Sequence, residues 1–340
     1  MRVGMVYGPA RLGVEEVDMP IATGDDVVVR VRSAGICGSD LHYHRGEGEP
    51  TRRRAGGHEL SGEVAEVGPD VAHVAVGDRV GVEPLLGCGT CRFCRAGDYH
   101  ICNDLTHPGG GFGEYTMVKA ENVFGIPDNV SDDAASLLDC VAVGVHAVQR
   151  AKTEATDTAV VLGDATIGLC TMQVAKANGA ARVGVVGHHD AALAIATDLG
   201  ADFVVNAKTE PATEAVMAHT HGLGADIVYE SVGGVATTME TAQEIVRPGG
   251  VIAVIGSFRE SPALNFRRLL RYEVDVRFAW SYAMWNGVPE FKMSIDMLAD
   301  GRVRAEPIIT HRFPLDDIQA AFDACLDRYA SGAVKVVINP

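Results

Sequence analysis

No run of eighteen uncharged apolar residues occurs in the 340-residue chain, so no membrane-spanning helix is expected. Its opening stretch, MRVGMVYGPARLGVEEVD, meets glycine and acid before a signal-like apolar core forms. Basic residues are scarce: 29 Lys and Arg face 45 Asp and Glu, a formal charge of −16. That deficit argues against nucleic acid or an anionic membrane as partner, and the cluster Arg52-Arg53-Arg54 is too short to reverse it. Internal repeats and low-complexity linkers are also missing. These absences describe a soluble, cytoplasmic chain long enough for two domains, each burying its own core.

Cysteine, by contrast, is crowded: four of the eight, Cys88, Cys91, Cys94 and Cys102, fall in one short segment. In a cytosolic chain that crowding reads as metal binding rather than a disulfide framework. The spacing Cys88-x2-Cys91-x2-Cys94-x7-Cys102 can wrap a tetrahedral ion with four thiolates, which closes the coordination shell and makes the site structural. Cys140, Cys170 and Cys325 stand singly and read as small buried hydrophobes. Cys37, in Cys37-Gly38-Ser39-Asp40-Leu41-His42, and His58-Glu59, in Gly57-His58-Glu59-Leu60-Ser61-Gly62, form a second set. Mixed sulfur, nitrogen and oxygen ligands from separate segments suit an open catalytic zinc with one position left for water or substrate.

The texture of the chain changes along its length. Asp26–Gly35, Gly62–Gly68 and Asp78–Pro84 are short β-branched runs stopped by Gly, Pro and Asp, which predicts a small, partly closed antiparallel core with long loops. From Ser131 an Ala-rich helical stretch follows, with Asp132 and Asp133 near its start. After Thr158, apolar runs and helical stretches alternate strictly, so a parallel sheet covered on both faces is expected to about residue 285. A helix around Pro289–Leu298, a second near Leu315–Ala330 and a final strand VKVVI complete the prediction.

The turn after the first strand of that alternation reads Gly163-Asp164-Ala165-Thr166-Ile167-Gly168 and opens a helix expected to begin near Gly168. Gly163 permits the tight turn, Gly168 permits close helix–strand packing, and the free N–H groups of the helix N-terminus suit a pyrophosphate. Ala165 replaces the middle glycine. The second strand ends at Gly187-His188-His189, where an acid would bind a ribose 2′-hydroxyl and repel a 2′-phosphate. With no acid at Gly187 and two histidines as donors, NADP is expected over NAD.

Taken together, these features resemble the zinc-dependent medium-chain dehydrogenase/reductase family of alcohol and polyol dehydrogenases. The signature GHE-x2-G-x5-G-x2-V runs from Gly57 to Val71, and the four-cysteine segment and nucleotide turn follow in the family's order. The resemblance covers nearly the whole chain. It implies a mainly antiparallel β, GroES-like catalytic domain at 1–145 with a structural zinc lobe at 84–104. A doubly wound, parallel-sheet (Rossmann) cofactor domain at 146–285 and a return to the catalytic domain at 286–340 complete the α/β architecture. It further implies two zinc ions per chain, a homodimer or homotetramer, and a catalytic zinc held by Cys37, His58 and a third ligand. Asp139 is the candidate for that third position, with Cys140 and Glu59 as alternatives. Ser39 matches the hydroxyl that takes the substrate proton, His42 the group that passes it to solvent, and Asp40 orients His58.

Carboxylate rather than second-thiolate ligation resembles polyol, threonine and sugar dehydrogenases more than ethanol-type enzymes. Only Asn103–Gly110 separates Cys102 from the segment beginning at Gly111, a short loop that removes substrate-pocket material. Trp280, Tyr282 and Trp285 cluster after the last strand, to wall a ring-shaped substrate or, preferably, to pack. His44 reads as a surface-loop residue. The expected reaction is hydride transfer between a secondary alcohol, polyol-, sugar-, cyclitol- or aminocyclitol-like, and NAD(P). The alternatives are a zinc-dependent aldehyde or ketone reductase, a threonine or simple-alcohol dehydrogenase, and a non-catalytic NADPH-binding protein.

Overall fold

The computed structural model describes residues 1–45 and 53–340, the side chains of residues 42, 43 and 53 excepted. The chain divides into two compact units: Met1–Asp139 with Ala283–Ala299 and Ile309–Pro340, and Cys140–Tyr282 with Asp300–Ile308.

The first unit is built on the strand Asp26–Gly35, whose valines at 27, 29 and 31 are fully buried. That strand pairs antiparallel with Glu59–Val67, Tyr115–Lys119 and the final strand Lys335–Asn339. Arg79–Val82 and Val123–Gly125 extend the sheet on one side and Ile309–Pro314 on the other. Val64, Val80, Phe112, Ile318 and Phe322 fill the core against it. The register sets Gly35 opposite Glu59 on one side and opposite Val337 on the other. The chain leaving Gly35 toward Cys37 is therefore held between the GHE segment and the last strand, so the sheet itself brings residues hundreds of positions apart to one place.

The second unit is a six-stranded parallel sheet in the order Phe203–Asn206, Arg182–Gly187, Thr158–Leu162, Ala225–Glu230, Val246–Val254, Asp275–Phe278. Val160, Leu162, Val228 and Ile252 are buried, as strands covered on both faces require. The chain enters at Thr158–Leu162, winds outward to Phe203–Asn206, then crosses to Ala225–Glu230. The point where strand order reverses is where such sheets open a crevice at their carboxyl ends.

Several elements differ from the sequence expectation. The helix expected from Ser131 is split into Asp132–Ala135 and Leu138–Ala151. Ser136 Oγ donates to the Asp133 carbonyl at 2.7 Å, a local bond that competes with continuation of the helix. The helix expected near Leu315–Ala330 breaks at Asp327, whose side chain accepts from the Ala330 N–H and caps a new turn. His44, expected on a surface loop, is 1% exposed at the end of the helix Gly38–His44 and packs on Phe322 with ring centroids 5.2 Å apart. Tyr282 is fully buried, whereas Trp280 is half exposed. No helix among the described residues is long and apolar enough to cross a membrane.

Candidate active site

In the first unit, Cys37, His58 and Glu59 place their ligand atoms within 4.8 Å of one another, and Asp139 sets a carboxylate oxygen equally close to that of Glu59. Cys37 follows the central strand, His58 precedes the strand Glu59–Val67, and Asp139 sits in the first turn of the helix Leu138–Ala151. Cys140, the neighbouring alternative, is buried, and its Sγ lies within the same 4.8 Å of the carboxylate oxygens of Glu59 and Asp139. Asp40 Oδ2 accepts from the Cys37 N–H at 2.9 Å, which fixes the turn presenting the thiol. Ser39 is exposed beside it. The side chain of His42 lies outside the described residues.

Burial disfavours charge on His58, but a hydrogen bond with Cys37 and the charges of Cys37, Asp40 and Asp139 outweigh it and raise the imidazole to about 11. A negative field that holds a proton so firmly suits a divalent cation, which takes the proton's place as the ligands ionise. One thiol, one imidazole and one carboxylate, from Glu59 or Asp139, are a donor set that fits zinc in a site with a position left open. Asp40 is itself pushed up by burial, against the lowering effect of His58 and the Cys37 N–H.

Glu59 has a second partner that the sequence reading passed over. Lys335 Nζ donates to Glu59 Oε2 and, at 3.1 Å, to the Ile36 carbonyl, with both side chains almost wholly buried. The signal was present: a lone lysine inside the apolar run VKVVI has to find an anion if that strand is central.

The four-cysteine segment wraps tightly. Sγ atoms of Cys91 and Cys94 lie 3.6 Å apart, Cys91 and Cys102 3.8 Å, and Cys88 and Cys94 4.0 Å. The edge of a tetrahedron around zinc with about 2.3 Å bonds is about 3.8 Å, so the cradle has the right size. Backbone N–H groups of Cys91, Cys94 and Asp104 point at Cys88, Cys91 and Cys102 sulfurs at 3.4 Å. Hydrogen bonds from Thr90 lead those that hold the Cys88 thiol down to about 6, while burial and the neighbouring thiols push Cys94 up to about 12. Ionising all four thiols at these separations would require a cation among them. Tyr99, within this segment, donates to Glu83, whose buried carboxyl is pushed up to about 8.

In the second unit the glycine turn is sterically exacting. Gly163 has φ +124°, and a Cβ at Gly168 would lie 2.1 Å from the Gly163 carbonyl oxygen. The helix runs Thr166–Ala177, starting two residues before the expected position. Ala165 occupies its cap with no side-chain hydrogen bond and Ile167 stands in its first turn, a helix start of the kind that suits a pyrophosphate. At the end of the second strand, Gly187 does not open the space expected for a 2′-phosphate. Asp164, 5% exposed, reaches from the turn and accepts from the N–H groups of His188 and His189, both at 2.8 Å. His189 Nδ1 lies 2.9 Å from the same oxygen, and His188 projects outward. The Asp164 carboxyl thus lies where the NADP expectation placed open space beside Gly187.

Comparison with known proteins agrees with this geometry. Residues 23–128 match the family described as alcohol dehydrogenase GroES-like domain, and residues 166–300 match the zinc-binding dehydrogenase family. Sorbitol dehydrogenase of Bacillus subtilis is 32% identical over 357 residues, covering 100% of this chain and 97% of that protein. Among solved structures, galactitol-1-phosphate dehydrogenase of Escherichia coli superposes with a TM-score of 0.90 at 30% identity over 100% of both chains. A zinc-binding dehydrogenase of Sinorhizobium meliloti bound to NADP gives 0.89 at 28% identity, over 100% of this chain and 99% of that one. The chain belongs to the zinc-type medium-chain alcohol and polyol dehydrogenase family, oxidoreductases of CH–OH groups that use zinc and a nicotinamide cofactor.

Proposed function

We propose that this protein oxidises a hydroxyl-rich secondary alcohol, a polyol, sugar, cyclitol or aminocyclitol, by hydride transfer to NAD(P), and carries two zinc ions with separate roles. The observation that carries the substrate class is the carboxylate of Glu59 beside Cys37 and His58, with a second carboxylate, Asp139, beside Glu59 and Cys140. The polyol substrates named for sorbitol dehydrogenase and galactitol-1-phosphate dehydrogenase support it.

In the reaction a hydroxyl loses its proton and the carbinol C–H leaves with its electron pair for the nicotinamide ring, giving a carbonyl and NAD(P)H. When bound, zinc supplies the Lewis acidity that allows the substrate hydroxyl to ionise near neutral pH. Cys37, His58 and the carboxylate of Asp139 or Glu59 hold it. Ser39, exposed two residues from Cys37, takes the hydroxyl proton, and His42 passes it to solvent. Asp40 holds the Cys37 turn and, by its charge, favours one orientation of His58. Lys335 restrains Glu59, which leaves Asp139 the better placed third ligand. Gly163, Ala165, Ile167 and Gly168 receive the pyrophosphate, and Gly187 to His189 flank the adenosine ribose.

The second zinc belongs to Cys88, Cys91, Cys94 and Cys102, where the sulfur separations support a closed, structural site. The outer strand Asp275–Phe278, with Phe278 and Trp280 exposed, supports a homodimer or homotetramer. Reduced cysteines destined for metal support a cytoplasmic location.

Steady-state rates on a panel of polyols, cyclitols, aminocyclitols, threonine and simple alcohols, with NAD and with NADP, test the reading. Turnover is expected on hydroxyl-rich substrates, and activity confined to simple alcohols would overturn it.

A further inference from the structure

Dinucleotide-binding sheets distinguish NAD from NADP at the end of the second strand, where an acid binds the ribose 2′-hydroxyl and repels a 2′-phosphate. This chain has Gly187 at that point, and nothing in Gly187–Asp190 is lysine or arginine. The space is nevertheless occupied. A Cβ built on Gly187 would lie 2.5 Å from Asp164 Cβ, 2.5 Å from its Oδ2 and 2.7 Å from its Cγ. The carboxyl of Asp164 therefore fills the volume that a side chain at position 187 would take, and glycine at 187 is the counterpart of aspartate at 164.

The hydrogen bonds matter as much as the volume. An incoming 2′-phosphate would draw on the N–H groups after the strand, and those of His188 and His189 both already end on Asp164 Oδ2. The imidazole of His189, the remaining donor pointing inward, contacts both Asp164 oxygens, at 2.9 and 3.1 Å. Helix Asp190–Asp198 begins immediately afterwards with an acid in its first turn. A 2′-phosphate would thus meet a buried carboxylate and donors already engaged. A 2′-hydroxyl, by contrast, can donate to that carboxylate, which only accepts.

We propose that Asp164, contributed by the glycine turn rather than by the second strand, is the residue that selects NAD over NADP. The inference rests on the nicotinamide-dependent reading above and specifies which dinucleotide the site takes.

The test is equilibrium binding of NADH and NADPH, followed by nucleotide fluorescence at fixed ionic strength, on the zinc-loaded wild-type chain and two variants. Asp164→Asn keeps the size and an acceptor for the two N–H groups while removing the charge. Asp164→Ala removes both. Wild type is expected to bind NADH at least about tenfold more tightly than NADPH. Both variants should lower that ratio by about tenfold, through tighter NADPH binding and weaker NADH binding. A change shared by Asp164→Asn, whose melting temperature is expected to stay near that of wild type, reports the charge rather than the fold of the turn. Equal or tighter NADPH binding by wild type would overturn the proposal, as would a ratio unchanged in both variants. Failure of wild type to bind either dinucleotide would overturn the dehydrogenase reading as a whole, an outcome distinct from reversed preference.

Discussion

Replacing Lys335 with methionine should destabilise the zinc-free protein strongly and the zinc-loaded protein much less. Side-chain exposure is 3% for Lys335 and 1% for Glu59, so the ammonium and carboxylate meet almost without water. Lys335 also donates to the Ile36 carbonyl, one residue before Cys37. Methionine keeps the unbranched stem but leaves the Glu59 carboxylate buried without its cation. Breaking a buried pair by removing one partner costs about 3–5 kcal/mol. For a unit of this size that corresponds to a fall in melting temperature of roughly 10 °C. With zinc beside Cys37 and His58, a divalent cation supplies the missing charge, so the loss should fall to less than about half that figure and the catalytic zinc should resist chelators longer. Adding Glu59→Gln to Lys335→Met should recover most of the zinc-free loss, because the stranded charge goes with it. The assay is urea and thermal unfolding of the single and double variants, with and without zinc. Equal destabilisation in both metal states, or strictly additive effects of the two substitutions, would refute the reasoning.

Other consequences follow from single contacts. Burial acts to raise the Asp133 pKa, but hydrogen bonds from Asn339 and Arg312 and the charge of Arg312 outweigh it and hold the pKa below the usual carboxylate range. That stability is present above the unfolded value of about 3.9 and is lost as pH falls through the folded value. Asp133→Asn should therefore cost about 1–2 kcal/mol near neutrality and progressively less below about pH 4, read from urea midpoints against pH. Glu83, pushed up to about 8 by burial, has the opposite sign: it favours the fold while protonated and loses that contribution as pH rises from the unfolded value toward 8. Glu83→Gln, which keeps an acceptor for Tyr99, should gain stability relative to wild type across that window and level off above it. Gly168→Ala, which drives a Cβ into the Gly163 carbonyl, should weaken NADH binding at least about tenfold in a fluorescence titration while the first unit unfolds as before.

How far the sequence foretold these features depended on whether their cause was local. Asp26–Gly35 reads as a strand because its β-branched run is bounded by Asp and Gly, and it forms with those limits. The glycine turn is legible because strand, turn and helix follow one another within a few residues. The four-cysteine cradle is legible because its spacing alone suffices to wrap an ion. Long-range packing is where the reading failed. His44 looked like a loop residue because its partner Phe322 lies far along the chain, brought in by the last helices of the first unit. Lys335 meets Glu59 across 276 residues, through two strand pairings that no local pattern announces. Asp164 reaches only to His189, but across two adjacent parallel strands, and an acid in a turn ordinarily signals solvent rather than a second strand's end.

The claim that Cys37 anchors a catalytic zinc distinct from the structural one is tested most directly by counting zinc and turnover in Cys37→Ala beside wild type. Wild type should carry two zinc ions per chain and oxidise a polyol with NAD. The variant should carry one, lose turnover by at least about a thousandfold, and keep both its four-cysteine zinc and its far-ultraviolet circular dichroism. Retained turnover, or two zinc ions still bound, would contradict the account.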